Sequence, residues 1–190
     1  MSETKIFSDL AVGNGWSQHK DIDLYFTKEL GPRFAQILPK VYRTPRGLSV
    51  RLDVLCMCPS FQEDAEFIGG DYANWAFLER RHPTTILKMP SFQEDIVLEG
   101  LLQVERWVLS VDRAEVLEKL SGFPPSLLIG YALRHITALA ILGRRKKIES
   151  YLDSYRRGVD VGFCAGIGEE VLLRALQLCS RRAETDASST

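Results

Sequence analysis

The sequence contains few of the side chains that bind metals or act as nucleophiles. Three histidines and four cysteines occur among its 190 residues. A structural zinc site uses four ligands, usually as two closely spaced pairs, but Cys56 and Cys58 are the only closely spaced pair. The sequence also lacks the glycine–x–serine–x–glycine turn of hydrolases and the phosphate-binding P-loop. We therefore predict a protein with no metal, no cofactor and no catalytic residue.

The chain also lacks an excess of charge and a long apolar run. Its 24 basic and 25 acidic residues nearly balance, which argues neither for nor against a nucleic-acid partner. The most apolar stretch, residues 127–142, carries Arg134 and His135 at its centre and is shorter than the roughly 20 apolar residues that span a bilayer. The first residues do not resemble a secretory leader. A cytoplasmic protein with free thiols and no membrane association is expected.

The length predicts a single globular domain over residues 1–182, followed by a disordered polar tail over 183–190. Residues 1–20 have no sustained periodicity and suggest an irregular arm. Residues 21–30 favour a helix that is kinked at Gly31-Pro32 and continues to Leu38. From Val41 to Cys58 the pattern indicates two strands joined by a turn, because apolar and polar residues alternate from Leu48 to Val54.

The hexapeptide PSFQED occurs twice, at 59–64 and at 90–95. Each copy follows an apolar, strand-like segment, and each has the serine–x–x–glutamate spacing of a helix-capping box. Asp64 and Asp95 would add the negative charge that a helix N-terminus favours. We interpret both copies as strand-to-helix junctions. The first helix would end at Gly69-Gly70, and the second would run from Phe92 to about Leu109. A relic repeat or a paired ligand-binding feature is the alternative.

The second half of the chain is predicted to be helical. Asp112 begins one helix that ends at Gly122, and Ser126 caps the apolar helix that ends at Leu142. Two further helices follow. Between the two hexapeptides, residues 71–83 fit either a helix or a strand. The predicted fold class is thus α+β, with an N-terminal helix and a small β-sheet followed by a helical C-terminal half in a single domain.

The glycine-rich segment Val159–Leu176 resembles the first motif of Rossmann-type methyltransferases. That resemblance would place a nucleoside cofactor near Asp160 and Gly162–Gly168. The fold needs further strands and an acidic residue about 20 positions later, and neither follows in this chain. A glycine-rich connection between two helices is therefore the preferred interpretation.

The remaining polar residues have structural interpretations. The basic run at 144–147, with Arg156 and Arg157, is interrupted by acidic residues and suggests a solvated helix face, so no nucleic-acid partner is predicted. Buried, apolar cysteines are expected, because free cysteine behaves as a small hydrophobe. His135 on an apolar helix suggests a hydrogen-bonded core histidine.

One segment favours a partner. Acidic residues precede aromatic ones in the middle of the chain, and such a surface suits a basic protein, with aromatic anchors and charges that raise the association rate. The predicted partner-binding residues are Glu63, Asp64, Glu66, Asp71, Tyr72 and Trp75. The alternative is helix-start carboxylates and core aromatics that meet no partner.

The strand-rich first half and the helix–glycine–helix passage YALRHITALAILGRRKKIESYLDSYRRG together resemble the α+β immunity proteins of bacterial polymorphic toxins. This resemblance implies a non-catalytic inhibitor that binds a cognate toxin or effector protein in the cytoplasm and occludes it. Two alternatives stay open. One is an enzyme or ligand binder that uses the Gly162–Gly168 turn, and the other is a secretion chaperone or adaptor that binds an unfolded segment.

Overall fold

A computed structural model describes residues 2–73 and 76–188, and their side chains up to residue 184. The strands are β1 (Ser17–Lys20), β2 (Leu24–Leu30), β3 (Arg33–Thr44), β4 (Gly47–Met57), β5 (Glu79–Arg80) and β6 (Thr85–Met89). The helices are α1 (Glu3–Gly13), α2 (Pro59–Gly69), α3 (Glu94–Ser110), α4 (Arg113–Ser121), α5 (Ile129–Ile141), α6 (Arg145–Arg156) and α7 (Glu169–Ser188), with a 3-10 turn at Gly70–Ala73. The predicted α+β class is confirmed.

The internal contacts of the chain form two compact units. The sheet unit comprises residues 1–58 and 79–111, and the helical unit comprises residues 59–78 and 112–190. The single-domain interpretation of residues 1–182 stays a prediction. Helix α7 continues to Ser188 and includes most of the segment assigned to a polar tail; residues 189 and 190 lie outside the described part.

The sheet unit is built around the long antiparallel hairpin β3–β4, which turns between Thr44 and Gly47. Strands β1 and β2 extend the sheet beyond β3, while β5 and β6 pair with opposite ends of β4. Helices α1 and α3 pack against this sheet. The alternation predicted for β4 is confirmed, because Val50 and Leu52 are buried and Ser49 and Arg51 are only partly buried.

The N-terminal prediction was wrong in detail. Residues 3–13 form α1 instead of an irregular arm, because the Ser2 hydroxyl accepts a hydrogen bond from the Lys5 amide and caps the helix. Residues 24–38 form β2 and part of β3 instead of a helix. Gly31-Pro32 is the turn of this hairpin rather than a kink, with Leu30 paired to Arg33.

Both copies of PSFQED lie at strand-to-helix junctions, as predicted, but neither forms the predicted capping box. In the first copy α2 begins at Pro59, so Ser60 already lies within the helix. In the second copy α3 begins at Glu94 and its N-cap residue is Gln93, so Ser91 lies before the cap. The apolar stripe predicted for α3 is buried at Val97, Leu101, Val104 and Val108.

The helical unit is organised around α5. Nine consecutive residues of this helix, Ala132–Ala140, are buried, and α2, α4, α6 and α7 all pack against it. The prediction of a buried apolar helix is therefore confirmed. Among the described residues, no helix is both long and apolar enough to cross a membrane. The predicted cap of α4 is confirmed, because the Asp112 carboxylate accepts hydrogen bonds from the Ala114 and Glu115 amides.

Candidate functional site

The predicted acidic–aromatic residues that the structure describes lie on α2 and on the 3-10 turn after it, in the helical unit. Glu63 and Glu66 are exposed on α2, and Glu66 accepts a hydrogen bond from Gln62 at 2.9 Å. Asp71 and Tyr72 are exposed on the 3-10 turn, with 58% of Tyr72 accessible. Trp75 lies outside the described residues. Four of the six predicted residues are thus exposed in neighbouring elements.

Asp64 differs from these four residues. Its carboxylate accepts a hydrogen bond from Arg182, and only 13% of its side chain is accessible. Burial raises the pKa of Asp64, although Arg182 and the nearby Arg113 act in the opposite direction. Asp64 therefore links α2 to α7 and is not part of the exposed acidic set.

Tyr72 lies beside the start of α5. A Cβ atom placed on Gly166 would lie 2.8 Å from Ile129 Cδ1 and 3.7 Å from Tyr72 Cζ, so this glycine lies beside both side chains. Leu127 and Leu128 directly precede Ile129 and are 75% and 64% exposed. Tyr131, in the first turn of α5, is also exposed. We call Tyr72, Leu127, Leu128 and Tyr131 the tyrosine–leucine patch.

The sequence analysis missed Leu127, Leu128 and Tyr131, and it missed the two leucines because it began α5 too early. With Ser126 as the cap, Leu127 and Leu128 would belong to the buried helix. In the structure the N-cap residue is Leu128. The Ser126 hydroxyl accepts a hydrogen bond from the Leu128 amide at 3.1 Å, so it binds the residue before the helix and not an amide of the first helical turn. The two leucines therefore lie in the exposed entry to α5.

A buried arginine supports one edge of the patch. The Arg134 guanidinium lies 4.0 Å from the centroid of the Phe77 ring and 5.7 Å from that of Tyr131. One of its nitrogens, Nη2, donates to the Leu78 carbonyl at 2.7 Å. These cation–π and hydrogen-bond contacts hold the Tyr131 ring and residues 77–78 in place.

The glycine-rich segment after α6 is a connection between two helices, as predicted, and residues 159–161 do not form a strand. The Gly162 amide donates to Asp160 Oδ1 at 2.7 Å, and Gly162 has a positive φ of 86° that other residues adopt rarely. Gly166 has no room for a Cβ against Ile129. Turn geometry and close packing thus account for two of these glycines without a cofactor.

This connection and α6 line a pocket of about 390 Å³ in the helical unit. Tyr151 and Tyr155 contribute aromatic rings from α6, and Phe163 contributes a third from the connection. Asp160 and Cys164 are the polar side chains beside them. The pocket lies on the segment that the sequence analysis associated with a possible ligand, but its aromatic wall from α6 was not foreseen.

His135 is a hydrogen-bonded core histidine, as predicted. Its Nδ1 lies 2.8 Å from the Leu120 carbonyl oxygen, which can only accept, so Nδ1 carries the proton. Its Nε2 then accepts from the Tyr151 hydroxyl at 3.1 Å. Burial lowers the pKa of His135, which favours the neutral ring. This pair holds the Tyr151 ring at the base of the pocket.

The cysteines behave largely as expected. Cys56, Cys58 and Cys179 are buried, whereas Cys164 is partly exposed. Burial raises the pKa of Cys56 to about 11, so its thiol stays protonated at neutral pH. Within the described ranges, no group of three or more histidine, cysteine or acidic side chains could hold a metal ion.

Half of the six basic residues at 144–147 and 156–157 form ion pairs with carboxylates. Arg144 pairs with Glu118, Arg145 pairs with Glu149, and Arg156 pairs with Glu169. These are exposed pairs of the kind that decorate a solvated helix surface.

A family model described as "Family of unknown function (DUF6990)" matches residues 4–180. The chain belongs to this family. No match to this DUF6990 protein is found among curated proteins or among solved structures.

Proposed function

We propose that this DUF6990 protein is a non-catalytic inhibitor of the immunity-protein type. It binds a cognate toxin or effector protein in the cytoplasm of a bacterium and occludes it. The observation that carries the proposal is the tyrosine–leucine patch beside exposed acidic residues. Large exposed apolar side chains that lie together are typical of protein-binding surfaces.

The expected partner surface is basic. Glu63 and Glu66 are exposed on α2 and Asp71 is exposed next to Tyr72, and none of these three residues forms a salt bridge with another described residue. Exposed carboxylates around an aromatic patch favour a lysine- or arginine-rich partner and raise its association rate. Aromatic residues at the centre of such a patch commonly contribute most of the binding energy.

The alternative of an enzyme with a nucleoside cofactor is less well supported. The pocket does lie at the glycine-rich connection. However, residues 159–161 do not form the strand of the methyltransferase motif, and turn geometry and packing against Ile129 account for Gly162 and Gly166.

The first test is purification of the tagged full-length chain with its bound partner from its native host. We expect a stoichiometric folded protein that is toxic when it is produced alone and harmless when it is produced with this chain. The variant Leu127→Ser/Leu128→Ser should lower the affinity for that partner at least about 100-fold, because full burial of each leucine side chain against a partner contributes roughly 1.5–3 kcal/mol.

Ile22→Ser is the matched control, because Ile22 is 92% exposed and lies in the sheet unit. It should leave the affinity unchanged. The charge-reversal variant Glu63→Lys/Glu66→Lys should slow association and weaken its dependence on salt. Equal affinities of the leucine variant and the control would contradict the proposed surface, and a captured protein without toxicity would contradict the inhibitor function.

A further inference from the structure

The pocket beside α6 has a size and position suited to a small guest. Its volume of about 390 Å³ falls within the usual range for ligand pockets. The C-terminal half of α6, the connection after it and Leu172 of α7 form its walls. All of these lining residues belong to the helical unit.

Aromatic rings dominate the pocket. Tyr151 and Tyr155 lie one helical turn apart on α6, so both project from the same face. Phe163 meets Tyr151 edge-on, with ring centroids 5.0 Å apart and an interplanar angle of 81°. Lys147 Nζ already lies 5.0 Å from the Tyr151 ring centroid. Tyr155 and Phe163 are therefore the rings that can receive an added cation.

The lining of the pocket carries one acidic side chain. Of the pocket-lining residues that the structure describes, Asp160 is the only charged one. Its Oδ1 accepts from the Gly162 amide at 2.7 Å, which orients the carboxylate and leaves Oδ2 for a guest. Aromatic rings beside one oriented carboxylate are a typical combination for binding an organic cation.

The pocket borders the tyrosine–leucine patch. The connection that lines the pocket also contacts the entry to α5, where the Cys164 amide donates to the Ser126 carbonyl at 3.3 Å. Gly166, in the same connection, lies beside Tyr72 and Ile129. A protein seated on the patch would therefore have side chains within reach of the pocket.

We propose that this pocket binds an arginine or lysine side chain of the protein partner, with the cationic group at Asp160 and the apolar stem against Tyr155 and Phe163. The assignment of the cation to a protein partner rests on the proposed function. The preference of the pocket for a cation is independent of that function, because it can be measured on the isolated chain.

The test uses N-acetyl-arginine methylamide and its uncharged isostere N-acetyl-citrulline methylamide. Each is titrated into the full-length ¹⁵N-labelled chain and followed by amide chemical shifts. We expect the arginine probe to shift the amides of Gly158, Asp160 and Cys164 and to bind at least about 10-fold more tightly than the citrulline probe. Equal binding of the two probes, or no shift with either, would overturn the cation pocket.

Asp160→Asn should abolish the preference for arginine, since asparagine keeps the Oδ1 acceptor for the Gly162 amide but removes the charge. Tyr155→Leu should weaken arginine binding by removing a ring. Asp153→Asn is the matched control, because it removes an exposed carboxylate of α6 outside the pocket lining. A loss of preference in this control equal to that in Asp160→Asn would overturn the assignment to Asp160.

The same variants then distinguish a cationic side chain of the partner from a free organic cation. In the purified complex, Asp160→Asn and Tyr155→Leu should each lower the partner affinity at least about 10-fold, the effect expected of a desolvated interface contact. Unchanged partner affinity with retained probe binding would overturn the partner as the source and assign the pocket to a free organic cation. Failure to recover a toxic partner would contradict the proposed function but leave the probe result standing.

Discussion

The first copy of PSFQED is helical from its proline onwards, whereas the second copy stays non-helical through Pro90–Gln93 before α3 begins at Glu94. In the first copy Phe61 is fully buried, and Asp64 pairs with Arg182. In the second copy Phe92 is partly exposed and Asp95 is exposed. Phe61 and Asp64 of the first copy thus belong to the interior of the helical unit, whereas Phe92 and Asp95 of the second copy lie at the surface of the sheet unit.

The chain before each copy explains the difference. Proline suits the first position of a helix, because its φ is already helical and its missing amide hydrogen costs no hydrogen bond. Pro59 occupies this first position in α2. Pro90 directly follows β6 and lies against Gly47 at the start of β4, so the backbone there continues along the sheet. The local sequence PSFQED therefore favours a strand-to-helix junction, and contacts with the neighbouring strand determine the residue at which the helix begins.

The largest expected difference between the copies concerns the phenylalanines. Phe61→Ala should lower the free energy of unfolding by about 3–5 kcal/mol, because it leaves a cavity in a fully buried site. Phe92→Ala should cost about 1 kcal/mol, because part of its ring is already in water. Urea denaturation of the two variants would measure both values, and equal losses would mean that the copies are buried alike.

The aspartates should differ in the pH dependence of stability. Burial raises the pKa of Asp64 in the folded state, so ionisation costs more in the folded than in the unfolded chain. The free energy of unfolding should therefore fall as the pH rises from about 4 through the raised pKa. Asp64→Asn should remove this part of the slope.

Asp95→Asn is the matched control for that measurement, since Asp95 occupies the same position in the second copy and is exposed. Denaturation midpoints between pH 3 and pH 7 would be compared for the two variants, about the range over which carboxyl groups titrate. An identical loss of slope in both would contradict the structural role of Asp64.

The smallest effects are expected for the glutamines, where substitution by serine should change the stability in opposite directions in the two copies. Gln93 is the N-cap residue of α3 and makes no side-chain capping bond, so Gln93→Ser should stabilise the protein by about 0.5–1 kcal/mol. Gln62 lies within α2 and donates to Glu66, so Gln62→Ser should destabilise it by about 0.5 kcal/mol. Thermal unfolding of the pair would measure both shifts, and shifts of the same sign would contradict the different helix starts.

The fold was predictable wherever a single period ran through a segment. The alternation in β4 and the buried stripe of α3 were both recognised, because burial on one face requires a period of 2 in a strand and 3.6 in a helix. The region 21–38 was not, because its helix-like spacing concealed a hairpin. Phe26 and Ile37 pair across β2 and β3 and are both buried, so the strand conformation here is favoured by packing within the sheet rather than by a local periodic pattern.

The candidate site was predictable only in part. Exposed carboxylates at Glu63, Glu66 and Asp71 follow from the charge pattern of a surface helix and turn. Tyr72 lies beside Gly166, 94 positions later in the chain, and no local sequence pattern predicts this proximity. The leucines at 127 and 128 were assigned to a buried helix, because hydrophobicity alone does not reveal where that helix begins.

The amino-acid sequence by itself determined the α+β class, the helical second half, the buried α5 and the two strand-to-helix junctions, because each follows from local periodicity and turn residues. Only the tertiary structure decided which phenylalanine of the two PSFQED copies is buried, which leucines face solvent and which rings line the pocket with Asp160. Those outcomes depend on contacts between distant segments, whose packing free energy exceeds the local preferences of a few residues.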